Sequence, residues 1–212
     1  MKTLYISDMD GTLFDTETLT QEGLRAVSRK HGERDDVDEF YPSTCGLTLP
    51  VSKLLYLDFY GESYPFCERR EEVRQWIKEY IDANGIPIKK GAKELLEYLT
   101  DKGYKIALAT STTRASAEKH IKAADFEKYF DVTVCGDEIE NSKPHPEIFL
   151  TAAEKLGVSP EFCYVAEDSY FGVESGVAAG MKVFMIPDMR PPREKEKTTA
   201  YKICQDLEEI IH

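Results

Sequence analysis

Residues 3–12 read TLYISDMDGT, an apolar run that ends in two aspartates and a glycine. Residues 3–7 are typical of a buried β-strand, so Asp8 and Asp10 follow at its carboxyl end, where parallel α/β sheets bind ligands. Asp8 is placed to attack phosphorus as a nucleophile. Asp10 can give a proton to the leaving alcohol and later take one from water. The alternative is an ordinary acidic turn after a strand.

Outward from this stretch, short apolar runs alternate with helical patterns. Further strands are predicted at 104–110, 131–135, 162–166 and 182–186, and helices at 91–102, 113–124, 145–156 and 170–179. This alternation predicts an α/β fold with a parallel sheet covered by helices. The segment 187–197 reads as a Pro-rich charged loop before a short last helix.

The interval 16–84 breaks this alternation. It contains helical patterns near 18–31, 50–60 and 67–83 and no convincing strand. An all-helical segment directly after the first strand predicts an inserted cap domain over 16–84. The catalytic core is then made of 1–15 and 85–212.

Composition narrows the choice of function. The formal net charge of -12 argues against nucleic acid as a partner. No apolar run approaches the ~18–20 residues of a membrane helix, and the start of the chain does not resemble a signal peptide. We therefore expect a cytoplasmic monomer that does not bind membranes. The five cysteines are odd in number and lack a CxxC pair, which argues against disulfides and structural zinc.

Three more polar clusters follow predicted strands. Thr110 and Ser111 can hold a phosphate near a helix start, or simply cap that helix. Lys143, between a serine and a proline, can neutralise a carboxylate and a phosphate, or be a solvated loop lysine. Glu167 and Asp168 suit Mg²⁺, or form an acidic helix cap. In a parallel sheet these ends share one edge, so the clusters can converge.

The order DMDGTLFD, ATST, SKPHPEIF and AEDSYFGVESGVAAGM resembles the four motifs of the haloacid dehalogenase superfamily. The resemblance is strongest to the helical-cap branch that includes β-phosphoglucomutase and 2-deoxyglucose-6-phosphatase. It covers nearly the whole chain and implies a Rossmann-like core, a helical cap over the site and an aspartyl-phosphate intermediate.

The resemblance also implies a role for each matching residue. Asp8 would be the nucleophile and Asp10 the general acid and base. Thr110 and Ser111 would bind the phosphate, and Lys143 would stabilise its charge.

The same resemblance implies a magnesium site. Its ligands would be Asp8, the backbone carbonyl of Asp10, and Asp168 with Glu167 beside it.

Two departures favour a phosphatase over a mutase. Thr20 stands where the mutases of this branch usually have a histidine in the early cap helix. Their cap arginine after a glycine is also absent from Gly46-Leu47-Thr48-Leu49. We therefore expect a magnesium-dependent phosphatase of small phosphomonoesters, by analogy sugar phosphates. A β-phosphoglucomutase-like enzyme is the alternative, with His31 or Arg34 serving instead. A binding protein that has lost turnover is the non-enzymatic alternative.

Overall fold

The computed structural model describes residues 3–47 and 49–211 of the chain. Within them, six strands form one sheet in the order β3-β2-β1-β4-β5-β6, and every neighbouring pair is parallel. The strands are β1 (Leu4–Ser7), β2 (Lys105–Thr110), β3 (Val132–Cys135), β4 (Cys163–Glu167), β5 (Lys182–Met185) and β6 (Lys202–Ile203). The prediction of a parallel, Rossmann-like α/β sheet is confirmed.

The helices of the described residues fall into two groups along the chain. The first group is α1 (Thr16–His31), α2 (Val37–Thr44), α3 (Leu49–Tyr60) and α4 (Phe66–Asn84). The second group is α5 (Ala92–Asp101), α6 (Arg114–Ala123), α7 (Glu147–Leu156), α8 (Tyr170–Ala178) and α9 (Glu194–Thr199).

Strand β1 lies at the centre of the sheet and sets the position of the site. Its residues are buried on both faces, as helix-covered parallel strands require. Ser7 is in register with Leu108 of β2 and with Ala166 of β4. The residues that follow these three strands therefore leave the sheet side by side.

The core helices pack on the sheet through apolar stripes with helical spacing. On α5 the buried stripe is Leu95, Leu96 and Leu99, and on α7 it includes Ile148 and Phe149. The segment predicted as a charged loop instead contains the start of α9. Arg193 there donates to Glu196, whose side chain is buried.

The chain divides into two compact units, one of residues 1–15 and 86–212 and one of Thr16–Gly85. The second unit is helical. In it α1 packs on α4, and Gly23 of α1 is so close to Trp76 that a Cβ would lie 2.9 Å from the indole ring. Sequence reasoning missed α2, which has eight residues and carries Pro42 inside it. Its Phe40 stacks on Phe59 with ring centroids 4.0 Å apart.

Two linkers connect the units, and they pair with each other. The Asp15 amide donates to the carbonyl of Pro87 over 2.9 Å, and the Lys89 amide donates to that of Leu13 over 2.9 Å. Phe14 and Ile88 form an antiparallel bridge between these bonds. Over the described residues, every helix is too short or too polar to cross a membrane.

Candidate active site

The turn after β1 places Asp8 and Asp10 at the carboxyl edge of the sheet. The Asp8 amide extends the strand pairing by donating to the carbonyl of Ala166 over 3.0 Å. The Gly11 amide donates to the carbonyl of Phe14 and closes the turn. Asp8 is 7% exposed, whereas Asp10 is half-buried. The two carboxylates therefore occupy one strand end in different environments.

Gly11 allows the Asp168 carboxylate to approach this turn. Its φ of +82° lies in the region that favours glycine, and a Cβ there would lie 2.5 Å from Oδ2 of Asp168. The Thr12 hydroxyl donates to Oδ1 of the same carboxylate over 2.9 Å. The DGT part of the first motif therefore positions Asp168 at the end of β4.

Lys143 joins the first and last motifs. Its Nζ donates to Oδ1 of Asp8 over 2.6 Å and to Oε1 of Glu167 over 2.7 Å. The Lys143 side chain is 6% exposed, and its Nζ lies 4.9 Å from the ring centroid of Phe149. A solvated loop lysine would not be buried in this way.

Glu167 is held by the start of α8. Its Oε2 accepts from the Ser169 amide over 2.7 Å and from the Ser169 hydroxyl over 2.9 Å. The Ser169 Oγ in turn accepts from the Gly172 amide and caps the helix. A Cβ on Gly172 would lie 1.8 Å from the Glu167 carboxyl carbon, so only glycine fits beside this carboxylate.

The electrostatics of this cluster are dominated by burial. Burial raises the pKa of Asp8 to about 7, with Lys143 opposing the rise and Glu167 adding to it. Burial also raises the pKa of Asp168 well above its usual value, and the charges of Glu167 and Asp8 add to that rise. Burial lowers the pKa of Lys143, but the two carboxylates that it contacts outweigh this and raise it.

The donor set fits a divalent cation. Asp8, Glu167 and Asp168 each offer one oxygen, and these oxygens lie within 4.8 Å of one another. Buried Asp8 and Glu167 share the single ammonium group of Lys143, and half-buried Asp168 adds a third carboxylate, so negative charge is left for a cation to balance. Mg²⁺ prefers carboxylate oxygens. Both oxygens of Glu167 already accept hydrogen bonds, so Asp8 and Asp168 are the better available ligands.

The last residue of β2 and the loop that follows it carry the predicted phosphate binders. Thr110 is buried, and its Oγ1 accepts from the Thr112 amide over 3.1 Å. Ser111 is exposed. Thr112, which sequence reasoning did not select, donates from its hydroxyl to Oδ2 of Asp10 over 2.7 Å. The feature of the sequence that could have identified Thr112 is its position next to Ser111 in the second motif.

His120 is a second residue that sequence reasoning missed. It lies on α6, and its Nδ1 is 3.8 Å from Oδ1 of Asp10. Burial lowers the pKa of His120, and the charge of Asp10 opposes this shift. No motif marks this position in the sequence.

The helical unit contains a cavity of about 300 Å³. Glu17, Thr20 and Tyr41 are among its polar lining residues, and Leu24 and Val73 add apolar surface. The Tyr41 hydroxyl donates to Oε2 of Glu17 over 2.5 Å. The lining can therefore offer hydrogen bonds to a hydroxylated ligand while packing against its carbon atoms.

The positions that bear on mutase activity are found in this unit. Thr20 lines the cavity. His31 is hydrogen-bonded to Glu72, and Arg34 is paired with Asp36, so both alternatives to the missing mutase residues are engaged elsewhere. Leu49 is 50% exposed. Thr48 lies outside the described residues.

Comparison with known proteins agrees with this geometry. Residues 5–186 match the family model described as haloacid dehalogenase-like hydrolase. A phosphorylated carbohydrates phosphatase from Thermotoga maritima is 38% identical over 84% of this chain and 81% of its own length. Hexitol phosphatase B of Escherichia coli is 29% identical over 86% of this chain and 82% of its own length.

Solved structures give the same result. A protein from Thermotoga maritima described as a putative beta-phosphoglucomutase superposes with a TM-score of 0.81 at 31% identity, covering 100% of this chain and 97% of its own. The family resemblance read from the four motifs is confirmed. The chain belongs to the haloacid dehalogenase-like hydrolase family.

Proposed function

We propose that this phosphohydrolase is a Mg²⁺-dependent phosphatase of small phosphomonoesters that uses Asp8 as a covalent nucleophile. The observation that carries the proposal is the buried contact of Asp8 with Lys143, beside Glu167 and Asp168. A carboxylate buried with one lysine and two further acids is suited to an anionic, metal-assisted reaction.

In the first step, an oxygen of Asp8 attacks phosphorus and the bond from phosphorus to the leaving oxygen breaks. Asp10 gives its proton to that oxygen, so the alcohol leaves neutral. Lys143 stabilises the phosphoryl oxygens by charge, and Thr110 and Ser111 hold them by hydrogen bonds. Bound Mg²⁺ would supply positive charge that offsets repulsion between the carboxylates and the phosphate dianion.

In the second step, water attacks the phosphorus of the aspartyl-phosphate. Asp10, now ionised, takes a proton from this water, and the bond between phosphorus and Asp8 breaks. Inorganic phosphate leaves, and both aspartates return to their starting state. Besides bound Mg²⁺ and water, this scheme uses only the side chains named in the two steps.

For the substrate, we propose a phosphorylated carbohydrate. Relatives are named for phosphorylated carbohydrates and hexitols. The helical unit, which we interpret as the cap, has a cavity whose Glu17, Thr20 and Tyr41 suit hydroxyl groups. We propose that these residues select the substrate. The net charge of -12 favours small esters over nucleic acid, and we expect the enzyme to act in the cytoplasm.

The mutase alternative has one specific observation in its favour, the structural likeness to a putative beta-phosphoglucomutase. A mutase must keep water from the aspartyl-phosphate and position a second hydroxyl, and Thr20 lacks the imidazole of the resembling mutases. A coupled assay separates the two. If glucose 6-phosphate forms from glucose 1-phosphate faster than free phosphate appears, the phosphatase proposal is wrong.

The direct test is a panel of hexose, pentose and hexitol phosphates with Mg²⁺, with phosphate release as the measurement. Asp8→Asn should abolish release because an amide is a poor nucleophile, and exposed Asp101→Asn should leave it unchanged. Normal turnover by Asp8→Asn would exclude Asp8 as the nucleophile. A wild type that hydrolyses none of the esters would instead support a binding protein.

A further inference from the structure

The carboxyl group of Asp10 faces a donor on each of its two oxygens. Thr112 Oγ1 donates to Oδ2 over 2.7 Å, and His120 Nδ1 lies 3.8 Å from Oδ1. Thr112 belongs to the loop after β2, and His120 belongs to the last turn of α6. Two separate elements therefore meet the same carboxyl group.

The Nδ1 atom of His120 is buried within the described residues without a hydrogen-bond partner. The His120 side chain as a whole is 22% exposed. The ring edge packs against Phe14, with centroids 6.5 Å apart and planes at 87°. A buried polar atom without a partner costs free energy, so a contact that satisfies Nδ1 is favoured.

An acceptor lies close to Nδ1, namely Oδ1 of Asp10. The separation of 3.8 Å is too long for a hydrogen bond. Catalytic hydrogen bonds are often long without substrate, however, and shorten in the Michaelis complex. Each carboxylate oxygen can accept in two directions. Oδ1 can therefore accept from His120 and still face the leaving group.

We propose that His120 is a positioning residue, whose Nδ1–H donates to Oδ1 of Asp10 and, together with Thr112, fixes the carboxyl group for proton transfer. The proposal rests on the acid and base role proposed above for Asp10. With a donor on each oxygen, rotation of the carboxyl group about its Cβ–Cγ bond is restricted. Without His120, the carboxyl group would lose the donor that this ring offers to Oδ1.

Two substitutions separate position from packing. His120→Phe keeps a ring against Phe14 and removes the nitrogen, whereas His120→Asn supplies an amide N–H near the position of Nδ1. Lys122→Gln, at an exposed position on the same helix, is the matched control. Circular dichroism checks that all three variants are folded.

The first readout is kcat/KM with glucose 6-phosphate and with p-nitrophenyl phosphate. The sugar alcohol needs a proton to leave, and p-nitrophenolate does not. We expect His120→Phe to lose about tenfold on glucose 6-phosphate, a fraction of what general acid catalysis contributes, and less than about twofold on p-nitrophenyl phosphate. His120→Asn should recover most of the loss. Equal losses on both substrates, or none, would overturn the proposal.

The second readout does not depend on turnover. Long-range ¹⁵N NMR of the ring reports which nitrogen carries the hydrogen, and comparison with His120→Phe assigns the signals among the chain's 4 histidines. We expect hydrogen on Nδ1 in the wild type and a shift in Asp10→Asn. An Nε2–H ring that is insensitive to Asp10→Asn would refute the contact. A wild type without activity but with the expected ring spectrum would refute only the proposed function.

Discussion

Lys143 Nζ and Asp8 Oδ1 lie 2.6 Å apart, and the two side chains are only 6% and 9% exposed. The contact links Asp8, the first residue after β1, with a lysine 135 positions later in the chain. It brings the proposed nucleophile and the main positive charge of the cluster into one hydrogen bond. We therefore expect the reactivity of Asp8 to depend on the position of Lys143.

Lys143→Met should remove this charge while filling a similar volume. We expect kcat to fall by roughly 100-fold or more, as when a transition-state donor is lost. Stability should fall by about 3 kcal/mol, because the buried carboxylates lose their partner. Phosphate release and urea unfolding measure the two effects, with exposed Lys122→Met as the control. Turnover above half of the wild-type value would contradict the assigned role.

Metal removal should abolish activity. Without a cation, Asp8, Glu167 and Asp168 repel an incoming phosphate dianion, so EDTA should stop phosphate release and Mg²⁺ should restore it. Ca²⁺ should inhibit, because it favours more ligands and longer bonds. Asp168→Asn should raise the Mg²⁺ concentration needed for half-maximal activity, while Asp101→Asn should not. Full activity of the metal-stripped enzyme would disprove the magnesium site.

The contribution of Asp8 to the stability of the metal-free protein should fall as pH rises from about 4 to about 7. An aspartate in the unfolded chain loses its proton near pH 3.9, whereas burial holds the pKa of folded Asp8 at about 7. Asp8 therefore binds more protons in the folded than in the unfolded state in this window, and its contribution to stability decreases with rising pH. Urea unfolding in EDTA measures this slope.

Asp8→Asn is the control for that slope. In EDTA, the unfolding free energy of the wild type minus that of the variant should decrease as pH rises from about 4 to about 7. The reason is that the asparagine in the variant does not titrate. Saturating Mg²⁺ should flatten the wild-type slope, since a bound cation favours the ionised carboxylate. Parallel pH profiles for the two proteins in EDTA would contradict the raised pKa.

Gly172→Ala tests the close packing beside Glu167. In an exposed helix this change stabilises by up to ~1 kcal/mol, but here the new Cβ would lie 1.8 Å from the Glu167 carboxyl carbon. We therefore expect a lower Tm and a lower kcat, since Glu167 must move away from Lys143. Val177→Ala, exposed on the same helix, is the control. A variant as stable and active as the wild type would exclude this constraint.

Glu17→Gln tests the cavity of the helical unit. It keeps the size of the side chain but weakens acceptance from the Tyr41 hydroxyl. We expect KM to rise severalfold for the preferred sugar phosphate and to stay unchanged for p-nitrophenyl phosphate, which has no sugar hydroxyls. Glu22→Gln, on the exposed face of α1, is the control. An identical ranking of substrates in Glu17→Gln and wild type would argue against the cavity as the selecting site.

The fold could be predicted from the sequence because its main signals are local. Strands β1, β2 and β4 are each visible in the sequence as an apolar run. Each run is followed by residues that carry carboxylates or hydroxyls. Parallel strands then bring those ends to one edge by geometry alone. The two-residue β6 and the Pro-containing α2 were missed because such short elements carry little periodic signal.

The contact of His120 with Asp10 could not be predicted for a different reason. Which side of α6 faces the turn after β1 depends on the rotation of that helix, which its packing on the sheet decides. An isolated histidine on an amphipathic helix gives no indication of this. The hydrogen bond between Thr112 and Asp10 likewise depends on the exact path of a loop.

The paired linkers have a consequence for how such enzymes diversify. Because Asp15 bonds to Pro87, and Leu13 to Lys89, the chain leaves the sheet unit and re-enters it at one point. The helical unit is thus one insertion between two paired chain segments. A different inserted domain needs only to join these two segments. We therefore expect that recombination can exchange the whole helical unit while the carboxylate and lysine cluster of the sheet unit is inherited intact.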